Sequence, residues 1–120
     1  MWYSLVSLQQ TGTDRLRATV TTDAHAPWYD GHFPGEPVLP GVAQLEMVAE
    51  LISTLLGKPV FVDGLSRVKF RKLIVPGELL EIQVSRDDRK KGYVFQITNR
   101  QENVSSGILT INHHYAASSS

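Results

Sequence analysis

The spacing of apolar side chains divides this chain into one helix and a set of strands. Leu45, Val48, Ala49, Ile52, Leu55 and Leu56 recur at helical intervals. Val42, Ala43, Met47 and Leu51 fill most of the remaining sides, so this helix is expected to be buried nearly all round, with Glu46, Glu50, Ser53 and Thr54 as its one polar strip. Pro40 suits the first helical position, where a missing N–H costs nothing, and Gly57 followed by Pro59 supplies the stop. Elsewhere the period is two. Leu16, Ala18 and Val20 alternate with Arg17, Thr19 and Thr21, Val68 and Phe70 with Arg67, Lys69 and Arg71, and Leu80, Ile82 and Val84 with Glu81, Gln83 and Ser85. Tyr93, Phe95 and Ile97 form a further strand, Leu109 and Ile111 sit in the last, and Trp2–Gln9 is β-rich. Pro76-Gly77 and the charged stretch from Asp87 to Gly92 read as turns. About five or six strands with short connections favour antiparallel pairing, and an apolar helix beside them predicts an α+β architecture in which the sheet wraps around the helix.

The 120 residues are most simply one domain, expected over 1–115, with Ala116-Ala117-Ser118-Ser119-Ser120 as a disordered tail. Twelve basic residues balance twelve acidic ones, which argues against a nucleic-acid partner. The absence of cysteine excludes disulfides and thiolate chemistry. The start Met1-Trp2-Tyr3-Ser4 lacks the basic and apolar regions of a signal peptide, and no apolar run approaches the roughly 20 residues of a membrane span. A soluble cytoplasmic domain is expected.

The stretch from Asp23 to Leu39 is a long, turn-rich loop, and such loops are usually functional or disordered. Its second half runs into the helix as His32-Phe33-Pro34-Gly35-Glu36-Pro37-Val38-Leu39-Pro40-Gly41-Val42-Ala43-Gln44-Leu45-Glu46. An imidazole in a proline-stiffened loop is followed by a carboxylate on a helix, one group able to take a proton near neutral pH and the other to give one. A lone loop histidine is ordinarily structural; the whole segment turns the balance towards chemistry. His25, His113 and His114 carry no motif, the adjacent pair would point to opposite faces of a strand, and no spacing suggests a zinc site. Trp28 and Tyr29 either cover a pocket or pack under the loop.

Two blocks carry a resemblance. Gly31-His32-Phe33-Pro34, Pro37, Pro40-Gly41-Val42 and Glu46 form the first, with the carboxylate fourteen positions after the imidazole; Val68-Lys69-Phe70-Arg71-Lys72 and Val75-Pro76-Gly77-Glu78-Leu79-Leu80 form the second. Together they resemble the hot-dog fold 3-hydroxyacyl-acyl carrier protein dehydratases of fatty acid synthesis. The branch that also isomerises the double bond has Asp where this chain has Glu46, so simple dehydration is favoured.

The resemblance implies a hydro-lyase converting a 3-hydroxyacyl thioester to the trans-2-enoyl thioester, with His32 as base and Glu46 as acid. An imidazole ordinarily titrates at about 6.5 and keeps a neutral fraction at pH 7. An exposed Glu is ionised there, so Glu46 must be desolvated, and its apolar helix neighbours are expected to do this, with the like charge of Glu50 one turn on helping. The amides of Gly41 and Val42, at the positive end of the helix, would polarise the thioester carbonyl, each such donor contributing about 2.7–4 kcal/mol in a transition state. Phe33, Pro34, Val38 and Leu39 would wall the acyl chain. Arg67, Lys69, Arg71 and Lys72 are either a solvated strand face or a landing site for an acidic acyl carrier protein bearing the phosphopantetheine-linked substrate. The family also implies a homodimer in which each site takes His from one subunit and Glu from the other. The chemistry needs no metal or organic cofactor. A hot-dog thioesterase using Glu46 or Glu50 to activate water, and a non-catalytic acyl-binding subunit, are the alternatives.

Overall fold

A computed structural model describes residues 2–29, 38–89 and 91–112. The elements are strands β1 (Tyr3–Gly12) and β2 (Arg15–Thr22), a short 3-10 turn at Pro27–Tyr29, helix α1 (Gly41–Leu56), and strands β3 (Phe61–Phe70), β4 (Leu79–Asp87), β5 (Gly92–Asn99) and β6 (Glu102–Asn112). The six strands form one antiparallel sheet in the order β1-β2-β4-β5-β6-β3, leaving β1 and β3 at its edges. Hairpins make most neighbours; α1 carries the chain from β2 to the far edge, and β4 returns beside β2.

The expected alternation is realised where the sheet faces α1. Leu16, Ala18 and Val20 on β2, Leu80, Ile82 and Val84 on β4, and Tyr93, Phe95 and Ile97 on β5 are all buried. From α1 they meet Ala43, Met47, Val48, Leu51 and Ile52 in a single core cluster. Each fully buried aliphatic side chain there contributes about 1.5–3 kcal/mol.

The helix is not buried all round. One face packs on the sheet, while Val42, Glu46 and Thr54 are exposed and Leu45, Ala49, Leu55 and Leu56 only partly covered. An apolar composition marks a face that something will cover, without specifying that the same chain covers it. Pro40 is the N-cap rather than the first helical residue, with extended backbone (φ −63°, ψ 154°). Gly57 ends α1 as expected: its φ of 71° lies in the left-handed region and its N–H donates to the Ser53 carbonyl at 2.8 Å.

The β3 pattern also departs from simple alternation. A register shift between Ser66 and Lys69 inserts an extra residue, and Arg67 takes φ 54°, so the side chains beyond it change face. Phe70 is 48% exposed, more than Val68 two positions earlier. The Pro76-Gly77 turn is where the sequence puts it. Glu78 accepts a hydrogen bond from the Val75 N–H at 2.8 Å and a second from Asn99 Nδ2, tying this turn to the β5–β6 hairpin. Tyr29 is buried in the core cluster, its hydroxyl 2.5 Å from Thr22 Oγ1, and Trp28 meets Trp2 edge-on at 6.0 Å. Burial raises the Tyr29 hydroxyl pKa above its ordinary value; the Thr22 hydrogen bond opposes this and the Glu78 charge adds to it.

In the β5–β6 hairpin both loop residues, Arg100 (φ 51°) and Gln101 (φ 68°), are left-handed without being glycine. Gln101→Gly is expected to raise stability by about 1 kcal/mol, because glycine relieves a penalty of roughly 1–2 kcal/mol for an L-residue there and gives part of it back in unfolded-chain entropy. A urea titration with an unchanged slope and a higher midpoint would register this.

Candidate active site

Pro40 offers no side-chain cap, and its carbonyl accepts the amides of Ala43 (3.1 Å) and Gln44 (3.3 Å). That leaves the N–H groups of Gly41 and Val42 without a hydrogen-bond partner among the described residues, as the start of an uncapped helix requires. The Phe70 ring lies so close over Gly41 that an added Cβ would come within 2.6 Å of its Cζ, so only glycine at 41 lets this ring sit against the helix start. Nothing in the residue pattern marks that approach, since it joins a helix to the end of a distant strand.

One turn further along, Glu46 is exposed, on the same side as Val42, which is 60% exposed. The desolvation expected from its own helix neighbours is therefore not supplied within the chain: Ala43 and Met47 turn to the sheet and away from Glu46. Behind it, Glu50 is partly covered, with Oε2 buried and unpartnered. Gln44 is buried with an unpartnered Oε1. Tyr3, at the start of β1, is buried, and its hydroxyl pKa is raised, first by burial, then by the adjoining Glu50 carboxylate, then by the charge of Glu46. Tyr3 Oη nonetheless makes no hydrogen bond of ordinary length. Tyr3 belongs to no motif in the sequence, because β1 matches no recognisable pattern.

His32, Phe33 and Pro34 lie outside the described residues, as do His113, His114 and the stretch 116–120. Val38 is half-buried. Leu39 is in the core, its N–H held by the Ile74 carbonyl at 2.8 Å. Arg67, Lys69 and Arg71 are exposed, whereas Lys72 is exposed but ion-paired with Glu102. No cluster of His, Asp or Glu among the described residues is arranged to hold a metal, and no helix among them is long and apolar enough to cross a membrane.

Residues 8–108 match the ApeI-like family, described as ApeI dehydratase. The chain belongs to this family. Its backbone superposes on a chain of the dehydratase heterocomplex ApeI:P from Xenorhabdus doucetiae with a TM-score of 0.84 and 28% identity, over 92% of this chain and 98% of that one. The architecture is the hot-dog fold. Two curated relatives are each named 3-hydroxyacyl-acyl-carrier-protein dehydratase FabZ. The one from Streptococcus equi subsp. zooepidemicus is 31% identical over 100 residues, covering 78% of this chain and 71% of the relative. The one from Syntrophobacter fumaroxidans is 39% identical over 66 residues, covering 48% of this chain and 45% of the relative. The chain spans about half the length of the first curated relatives it matches. This ApeI-like chain therefore combines an uncapped helix start, an exposed carboxylate one turn along, and a sheet that frames both.

Proposed function

We propose that this ApeI-like protein dehydrates 3-hydroxyacyl thioesters carried on acyl carrier protein, in fatty acid or related lipid and polyketide synthesis. The observation that carries the reading is Glu46, exposed one helical turn from the open amides of Gly41 and Val42 in a chain of a dehydratase family. Neutral His32 takes the proton from C2. The electron pair forms the C2–C3 double bond as the C3–O bond breaks, and Glu46 gives its proton to the departing hydroxyl, which leaves as water. The thioester oxygen, gaining charge as C2 loses its proton, accepts hydrogen bonds from Gly41 and Val42. Phe33, Pro34, Val38 and Leu39 wall the acyl chain, and Arg67, Lys69, Arg71 and Lys72 meet the acidic carrier. Lys72 contributes least, being engaged by Glu102.

The active form is a homodimer of domains spanning residues 1–115, working in the cytoplasm. Edge strand β3 supports this. Its Val62 (38% exposed) and Leu65 (53%) are an apolar edge of the sort that chains otherwise blunt with charge or proline. Exposed Val42 beside Glu46 supports it too, since a partner surface there would supply the missing desolvation. A second subunit would bring its own His32 to Glu46.

The reading is tested by incubating the protein with a trans-2-enoyl thioester and following loss of the conjugated chromophore as water adds. Hydration in the wild type is the expected result. Release of free thiol without hydration would identify a thioesterase instead.

A further inference from the structure

The segment between β3 and β4 turns apolar side chains to solvent beside the candidate site. It starts where the Phe70 ring meets Gly41. The Val104 carbonyl accepts the Arg71 N–H at 2.7 Å, and the Ile74 carbonyl accepts the Leu39 N–H at 2.8 Å. From Leu39 to Gly41 is two residues, at most about 7 Å of chain. Ile74 is buried and pins the segment, whereas its neighbours Leu73 and Val75 are 72% and 43% exposed. One exposed apolar residue is ordinary, but a contiguous group marks a surface that something covers. Leu73, Pro76 and Leu79, the last 56% exposed, line one groove of about 1160 Å³. Small-molecule pockets usually hold about 300–1,000 Å³, so this groove has the size for a protein surface.

The acids along this groove are already engaged. Glu81 pairs with Arg17 at 3.6 Å, Glu102 pairs with Lys72, and Glu78 accepts the Val75 N–H at 2.8 Å. Arg100 on the rim, and Arg71 just before Lys72, have no ion pair among the described residues. The stretch from Arg67 to Gly77 holds four cations and no anion, in a chain whose net charge is zero. We propose that Leu73, with Pro76 and Leu79 beside it, is the apolar anchor on which the acyl carrier protein docks, Arg71 and Arg100 holding the carrier's acids around it. The proposal rests on the dehydratase reading and gives that site's carrier a specific landing place. A carrier has to seat its protein beside the pocket its thioester enters, and this segment joins the approach to the helix start through Ile74 and Leu39. Opposite charges speed the encounter and set its orientation, while apolar contact at the centre holds the complex. A second copy of this neutral chain gains less from an unbalanced basic surface than an acidic partner does.

The test compares the full chain with its variants Leu73→Ser and Leu73→Met. Each is assayed on a 3-hydroxyacyl group carried by acyl carrier protein, and on the same acyl group as a small N-acetylcysteamine thioester. Leu73→Ser should lower kcat/KM for the carrier-borne substrate by about 10- to 100-fold, through KM, the loss for a leucine withdrawn from an apolar contact. Turnover of the small thioester should be unchanged, and Leu73→Met should keep most of the carrier-borne rate. The melting temperature should hold, because Leu73 lies outside the core cluster. Titration with fluorescently labelled carrier, its phosphopantetheine arm unloaded, reads the same loss as a weaker Kd without turnover. A wild type that binds this carrier through Leu73 yet turns over neither thioester sinks the dehydratase reading and leaves the docking surface standing. The proposal is overturned if Leu73→Ser slows both thioesters alike, or if the affinity for the carrier does not change. It is overturned equally if sedimentation velocity shows Leu73→Ser breaking an assembly of this chain, since the groove would then seat a second copy.

Discussion

Glu46→Gln is expected to lower kcat for dehydration by about 10²–10⁴, the usual contribution of a positioned acid, with His32→Ala causing a loss of similar size. Glutamine keeps the length and polarity of the side chain but has no proton to give to the departing hydroxyl. Glu46 is exposed in the single chain and lies outside the core cluster, so its replacement should leave the melting temperature within about 1–2 °C of wild type. A steady-state assay on a 3-hydroxyacyl thioester, paired with thermal denaturation, separates this outcome from simple unfolding. A variant with wild-type kcat would remove Glu46 from the chemistry.

The second large effect is on assembly. Leu65→Glu should weaken the dimer by about 3 kcal/mol or more, over a hundredfold in its dissociation constant, because the carboxylate would be taken out of water unpaired. If the two-fold axis of such a β3 pairing falls at Leu65, two like charges would also oppose across the strands. Leu65 is 53% exposed and contributes little to the core of its own chain, so the monomer should keep its fold. Sedimentation velocity across a concentration series reads the shift. Specific activity should fall on dilution and recover at high protein concentration. A Leu65→Glu protein that remains dimeric would move the interface elsewhere.

Local elements were legible in the sequence because their side chains repeat a period. Leu80, Ile82 and Val84 alternate on a strand and are all buried, and Gly57 stops the helix for the reason its chemistry supplies. What was not legible depends on contacts between distant segments. Val42 reads as core by composition but faces outward. The bulge at Arg67 shifts the register of β3, and a pattern of alternating residue types carries no mark of an inserted residue. The Phe70 ring over Gly41, and Tyr3 against Glu50, join segments far apart in the chain. The resemblance at His32 and Glu46 pointed to a chemistry without saying how the carboxyl would be shielded. The exposed face of α1 turns that gap into the argument for a second subunit.

Mixing two inactive variants tests that argument most directly. His32→Ala and Glu46→Gln, each purified, are combined, allowed to exchange subunits and assayed together. If each site takes its imidazole from one subunit and its carboxyl from the other, half of the randomly formed dimers are mixed and hold one intact site of two, so activity should return to about a quarter of wild type. If exchange is demonstrated and the mixture stays as inactive as its components, imidazole and carboxyl act within one chain, and the shared-site account is contradicted.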